Sequence, residues 1–391
     1  MQRRSFLIGV LAAPTVLTAM PVWAQAEPFR VGLILPMTGP FASTGRQIEA
    51  AVRLYMAQHG DEVAGRKIEV ILRDDASVAD TTKRHAQELI VHEKVHALAG
   101  FGLTPLALAT APLSTQAKIP TVVMAAATSS ITEASPYIVR TSYTTPQVTS
   151  KIAEWAWGDG VRRVVTLVSD YGPGINSEAT FIKVFSQAGG QVVESLRVPL
   201  ANPDFAPFLQ RVADQKPDAV FVFVPSGVGA PFMKQFVERG LDKSGVRLLA
   251  DGGVTDDDIL NGMGDPARVA ITGFHYSAAH ESAENKAFVE AFSAANNGSR
   301  PNFMAVGGYD GMHVLYAALK KTAGDSDGTA LIGAVKGLSW ISPRGPISID
   351  PETRDIIQNV YMRRVERVGD QFWNVEFQTF EAVKDPAKSG G

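Results

Sequence analysis

The chain contains no cysteine, so disulfides, thiol nucleophiles and cysteine-ligated metals are excluded, and a lipid-modified N-terminal cysteine with them. It also lacks an excess of positive charge. Its 37 Lys and Arg stand against 40 Asp and Glu, a formal net charge of −3, and nothing in that balance attracts nucleic acid or an anionic membrane surface. No fixed-period repeat is present, which excludes a solenoid. The first strand-like run is followed by Pro36-Met37-Thr38-Gly39-Pro40 rather than G-x-G-x-x-G, and neither a P-loop nor a G-x-S-x-G elbow occurs. Nucleotide and serine-hydrolase chemistries therefore lack their usual phosphate cradle and nucleophile turn. Past the first residues, no apolar run approaches the ~20 residues of a membrane-spanning helix.

What is present begins with Arg3-Arg4-Ser5-Phe6-Leu7, which opens an apolar stretch from Leu7 to Met20 that closes at Ala24-Gln25-Ala26. Residues 1–26 read as an export signal peptide with a small-x-small cleavage site. The paired arginines resemble a twin-arginine signal, although Gln2 and Ile8 depart from its usual residues and general secretion stays open. The stretch is too short, and too rich in Ala, Thr and Pro, to span ~30 Å of hydrocarbon. The expected product is free and exported. A chain of this length, 45% hydrophobic, has room for two domains and can bury a core without disulfides.

Short β-branched runs alternate with helical patterns, the signature of an α/β fold with a parallel sheet between helices. Strands are expected at residues 30–35, 68–73, 97–100, 121–124, 164–169, 191–198, 219–224, 246–250 and 270–275. Between the first two, Ile48, Ala51, Val52 and Tyr55 share one face of a helix over 46–59. The pattern restarts near Tyr143-Thr144-Thr145-Pro146, which marks a domain change. Residues 341–380 read instead as β-hairpin material. Gly307-Gly308-Tyr309-Asp310-Gly311 reads as a loop entering a helix, and Asp256-Asp257-Asp258 behind Thr255 as a capped helix start.

His92-Glu93-Lys94-Val95-His96 matches H-E-x-x-H by letter. Zinc chemistry needs both imidazoles on one face of a continuous helix, plus a third ligand. The helical pattern ends near Glu93, and residues 97–132 contain no His, Asp or Glu. Solvated residues at a helix-to-strand turn are expected, with a zinc hydrolase as a remote alternative.

Several motifs in chain order carry a family resemblance. They are Val31-Gly32-Leu33-Ile34-Leu35-Pro36-Met37-Thr38-Gly39-Pro40 with Gly45, Gly65-Arg66-Lys67-Ile68 leading to Asp74-Asp75, Ala99-Gly100-Phe101, Ile119-Pro120 with Ala125-Ala126-Ala127-Thr128, Ser169-Asp170-Tyr171-Gly172, and Pro203-Asp204-Phe205. Together they resemble type I periplasmic solute-binding proteins of ABC importers, in the branched-chain amino acid (Leu/Ile/Val-binding) group, over residues 29–381. The resemblance implies two Rossmann-like lobes joined by three crossing segments and closing on a small solute. Residues 29–145 with 276–345 would form the N-terminal lobe, 146–275 with 346–381 the C-terminal lobe, and 382–391 a flexible tail. It further implies a binding protein rather than an enzyme, with no cofactor, a periplasmic location, and a membrane permease and ATPase as partners.

Open parallel sheets bind ligands beyond the carboxyl ends of their strands. The loops expected there, residues 37–45, 100–105 and 125–130, are rich in Gly, Ala, Ser and Thr and lead into helices. Free amides and hydroxyls at such places can hold a carboxylate without Arg or Lys, although the same residue types also serve as N-caps and turns. Candidate ligand contacts are Ser43, Thr44, Phe101, Gly102, Ala126 and Ala127. The resemblance adds Thr104 and Thr128 as hydroxyl donors and Tyr171 as the ring presented by the second lobe. For Tyr276, cleft lining and hinge packing are both open. Amino acid binders of this group hold the ligand ammonium with a Glu in the loop that here reads Ala250-Asp251-Gly252-Gly253-Val254. The alignment sets Gly252 at the Glu position, with Asp251 as substitute if the register is off by one. An ammonium buried without a counter-charge is costly, so the resemblance points to the subgroup that binds aromatic carboxylates. A branched-chain amino acid or amide as ligand, or a periplasmic sensor of the same fold, remain alternatives.

Overall fold

The computed structural model describes residues 27–388; the expected export signal at 1–26 lies outside them. In chain order come β1 (Phe29–Leu35), α1 (Ala42–His59), β2 (Glu62–Val63), β3 (Arg66–Asp74), α2 (Ala79–Val91), β4 (Ala97–Gly100), α3 (Thr104–Ala117), β5 (Thr121–Val123) and β6 (Ile138–Arg140). Their strands form a six-stranded sheet in the order β2-β3-β1-β4-β5-β6. Val31 of β1 sits between Val70 and Ala97 in parallel register. β4 is buried along its whole length, as a parallel strand covered by helices on both faces must be. The strand order reverses between β1 and β4, so a crevice opens beyond their carboxyl ends.

The second lobe repeats the plan. It contains α4 (Thr145–Gly158), β7 (Arg163–Ser169), α5 (Gly172–Gln187), β8 (Gln191–Val198), α6 (Ala206–Gln215), β9 (Ala219–Phe223), α7 (Gly229–Glu238), β10 (Arg247–Asp251), α8 (Leu260–Met263) and β11 (Ala270–Phe274). The chain then returns to the first lobe as α9 (Ala283–Ala295), α10 (Phe303–Lys321) and α11 (Gly328–Val335), with α10 packed along α1. Finally β12 (Ser339–Ser342), β13 (Gly345–Ile349), β14 (Ile356–Val368) and β15 (Gln371–Val383) extend the second sheet to nine strands. The crossing into this sheet precedes Ser339, ahead of the expected position 346. Among the described residues no helix is long and apolar enough to cross a membrane.

A buried arginine ties down each crossing. Arg140 donates to Asp355 at 2.8 Å and to the carbonyls of Ala126 and Thr128, each at 2.7 Å. Arg344 pairs with Asp310 at 2.8 Å and donates to the carbonyl of Ser142 at 3.1 Å. Arg363 reaches Thr272 Oγ1 and the Gly252 carbonyl, both at 3.2 Å. A planar guanidinium can satisfy several carbonyls at once, which suits it to chain crossings where regular backbone pairing stops.

Three local expectations are corrected. Gly307, Gly308 and Gly311 lie inside α10 rather than in a loop. A Cβ at Gly307 would come within 2.1 Å of the Met124 carbonyl oxygen, so glycine here permits a close helix approach rather than a turn. Asp256 and Asp257 are buried after a short 3-10 turn and accept from Asn302 and Asn374, while α8 starts only at Leu260. The expected tail is held over its described part: β15 runs to Val383, Lys384 pairs with Asp350 at 3.0 Å, and Lys388 pairs with Asp355.

Candidate functional site

The carboxyl ends of both sheets face one interlobe cleft of about 480 Å³, its mouth included. In the first lobe the chain leaves β4 through two left-handed residues, Gly100 (φ 110°) and Phe101 (φ 66°). A Cβ at Gly100 would lie 2.3 Å from the Ile34 carbonyl oxygen. This turn sends the Phe101 ring back into a core cluster with Ile34, Leu98 and Ile131, and brings Gly102, Leu103 and Thr104 to the cleft. The helix that follows, α3, has no side-chain cap. Ala125, Ala126 and Ala127 form the neighbouring wall. Arg140 occupies the carbonyls of Ala126 and Thr128, which keeps those negative dipole ends from facing an anion.

The second lobe offers a matching helix start. α5 begins at Gly172 behind Tyr171 and also has no side-chain cap. A Cβ at Gly172 would be 3.0 Å from Thr128 Oγ1 and 3.5 Å from Thr104 Cγ2, so glycine lets the two lobes close here. Thr104 Oγ1 and Thr128 Oγ1 are bonded to each other at 2.8 Å. Two hydroxyls sharing one hydrogen leave the other hydrogen for a third group. Two helix N-termini and this hydroxyl pair make one end of the cleft favourable to negative charge.

The remaining walls are apolar: Phe41, Tyr143, Tyr171, Phe223, Phe303 and Met304. The Tyr171 and Phe223 ring centroids are 6.3 Å apart. Tyr143 stacks on His275 at 4.7 Å and donates to Asp251 Oδ2 at 3.4 Å. Burial pushes the Tyr143 and Tyr171 hydroxyls up, so both stay protonated. Among the described residues no Lys or Arg lines the cleft, and Asp251 is its one carboxyl. Burial raises Asp251 to about 7, against the opposing effects of the Gly253 amide, Arg363 and Tyr143.

Of the residues singled out from sequence, Thr44, Gly102, Thr104, Ala126, Ala127 and Tyr171 line the cleft. Thr128 is outside that lining but is bonded to Thr104 at 2.8 Å. The others lie elsewhere. Phe101 is core. Ser43 reaches across the lobes to Asp258 at 2.7 Å. Tyr276 is fully buried in the main core cluster. Gly252 faces away, since its Cβ would strike the Phe274 ring at 2.3 Å, and the neighbouring Asp251 takes the cleft position. Tyr143, Phe223, Phe303 and Met304 were not anticipated, being core-type residues with no motif around them. The H-E-x-x-H letters straddle the end of α2. His96 accepts from the Arg30 amide at 3.0 Å and Glu93 pairs with Arg73 at 3.0 Å. Among the described residues no cluster of His, Asp and Glu could hold a metal.

Over residues 28–370 the chain matches the family described as periplasmic binding protein. It is 46% identical, over 381 residues, to Leu/Ile/Val-binding protein homolog 6 of Brucella melitensis biotype 1, covering 95% of this chain and 97% of that protein. It is similar to a solute binding protein of an ABC transporter from Rhodopseudomonas palustris BisB5, solved in complex with 3,4-dihydroxybenzoic acid. That structure is 61% identical with a TM-score of 0.91, covering 93% of this chain and 99% of the other. A second such protein, from Rhodopseudomonas palustris HaA2 in complex with p-hydroxybenzoic acid, is 43% identical with a TM-score of 0.90 and the same coverage, 93% and 99%.

Proposed function

We propose that this chain captures a benzoate-class aromatic carboxylate, and the premise is plain: it belongs to the family of periplasmic binding proteins, as a solute-binding protein of an ABC transporter. The observation that carries the ligand class is the two-sided cleft, with helix N-termini and the Thr104–Thr128 hydroxyl pair at one end and rings around the rest. The first holds a carboxylate without a fixed cation; the second buries a planar apolar body. Relatives solved with hydroxylated benzoic acids support the same reading. In it the open protein, exported by its leader to the periplasm, meets the acid on the first lobe. Tyr171 and Phe223 then favour the closed form by differential affinity. The closed form docks on a membrane permease, whose ATPase drives uptake.

A specific observation supports a second reading. Asp251 supplies a carboxyl where the missing Glu had argued against an ammonium, so a branched-chain amino acid is a rival ligand. Thermal unfolding of residues 27–391 against benzoate, hydroxybenzoates, Leu, Ile and Val separates the two. A ligand at 100 times its Kd adds about 2.7 kcal/mol to the native state. Raised midpoints with the aromatic acids alone are expected; a rise with Leu or Val alone overturns the aromatic reading.

A further inference from the structure

We infer that Asp251 is a specificity residue that accepts a hydrogen bond from a ring hydroxyl, so that the cleft selects hydroxylated benzoates over benzoate itself. The inference rests on the aromatic-acid reading above. A buried carboxyl is an odd wall for an anion-binding cleft, because an ionised ligand and an ionised Asp251 repel across a closed, poorly hydrated space. The pairing makes sense when the ligand brings a donor. Asp251 has acceptor capacity left. Among the described residues Oδ1 accepts from the Gly253 amide at 2.9 Å, and Oδ2 has only the Tyr143 hydroxyl at 3.4 Å. Among the described residues it makes no ion pair. Arg363, the nearest influence of opposite charge, is committed to Thr272 and to the Tyr276 and Gly252 carbonyls. Asp251 ends β10 in the second lobe, whereas the Thr104–Thr128 pair belongs to the first. A ligand carboxylate on the first lobe therefore leaves its far edge to the second.

The chemistry distinguishes this role from an ammonium site. A phenol is a neutral donor, so it satisfies Asp251 without bringing a buried cation, and the ring keeps its contacts with Tyr143, Tyr171 and Phe223. A site built around a substrate hydroxyl rejects an analogue that lacks it, because its own polar group is then left unpaired.

The test is calorimetric titration of the wild-type protein and Asp251→Asn with benzoate, 4-fluorobenzoate, 4-hydroxybenzoate, 3,4-dihydroxybenzoate and Leu. Wild type is expected to bind at least one hydroxylated acid roughly tenfold or more tighter than both benzoate and 4-fluorobenzoate. In Asp251→Asn, which keeps the shape and removes the charge, that ratio should fall toward one, partly because benzoate improves. Equal wild-type affinities for all the aromatic acids, a comparison that needs no variant, overturn the Asp251 role while leaving the aromatic reading standing. A ratio unchanged in a folded Asp251→Asn does the same. Binding of Leu that is lost in the variant would make Asp251 an ammonium counter-ion and overturn both readings, as would the absence of binding to any aromatic acid.

Discussion

The two lobes share a βα plan yet bring different polar groups to the cleft. The first lobe's loops after β4 and β5 show small residues, Gly102, Thr104 and Ala125 to Ala127, while Phe41, Phe303 and Met304 give it apolar walls elsewhere; the second lobe shows Tyr171, Pro173, Phe223, Pro225 and the carboxyl of Asp251. The cause is local. In the first lobe the left-handed turn at Gly100 and Phe101 turns the Phe101 ring inward, leaving backbone and the Thr104 hydroxyl at this part of the cleft. In the second, β9 ends with Phe223 facing the cleft, and Tyr171 stands outside the first turn of α5. On the proposed reading capture and discrimination become separable: the first lobe would hold the carboxylate all candidate acids share, and Asp251 of the second would read the ring hydroxyl by which they differ.

The largest expected effect comes from removing second-lobe bulk. Tyr171→Ala should weaken aromatic acids by about 1.5–3 kcal/mol while the ligand-free unfolding midpoint stays in place, because the ring is only half-buried. Unchanged affinity in calorimetry would take Tyr171 out of the site.

The next effect is electrostatic and also belongs to the second lobe. The carboxyl of Asp251 is raised to about 7 in the folded chain, against ~3.9 unfolded. The folded state thus holds the proton more tightly, and stability falls as pH rises from about 4 to about 7. Tyr143 and the Gly253 amide face this carboxyl, Tyr171 lies near it, and Arg363 is its nearest cation. Asp251→Asn removes the dependence, so its stability relative to wild type should grow by on the order of 2 kcal/mol across that window. Parallel denaturation curves at pH 4.5 and 8 that show a constant difference would contradict it.

First-lobe changes should be smaller and indifferent to the ring. Thr104→Val breaks the hydroxyl pair at roughly constant shape and should cost about 1 kcal/mol equally for benzoate and 4-hydroxybenzoate. A changed ratio would blur the division between lobes. Smallest is Ser43→Ala, which removes the 2.7 Å bond to Asp258 across the closed lobes. It should weaken every ligand by about 0.5–1 kcal/mol through the closed state, without touching any of them. Titration of three unlike ligands would reveal any selectivity.

Much of the fold was legible, because alternation of buried strands and amphipathic helices survives in single-sequence pattern. The expected helix over 46–59 falls within α1, and the nine expected strands fall on β1, β3, β4, β5, β7, β8, β9, β10 and β11. α3 was harder to delimit: it contains Pro112 and small apolar residues with little one-sidedness. The loops at residues 100–105 and 125–130 were found as cleft material because strand ends followed by Gly, Ser and Thr are legible. Which residue of each loop faces the ligand was not. Asp251 and Gly252 differ by one position and exchange roles entirely, because the packing of Phe274 and Arg363 against Gly252 decides which of them looks into the cleft.

The sequence by itself determined the class of the molecule: an α/β chain without cysteine, carrying the motif order of a solute-binding family. These are properties of local pattern and composition, which every segment carries with it. Only the tertiary structure decided the cleft wall. Tyr143 and Phe303 come together from segments far apart in the chain, with ring centroids 6.0 Å apart. Phe101 and Tyr276 are lost to the core by a turn and a crossing. The side on which a buried residue faces depends on what packs behind it, and that is contributed by distant residues no local pattern contains.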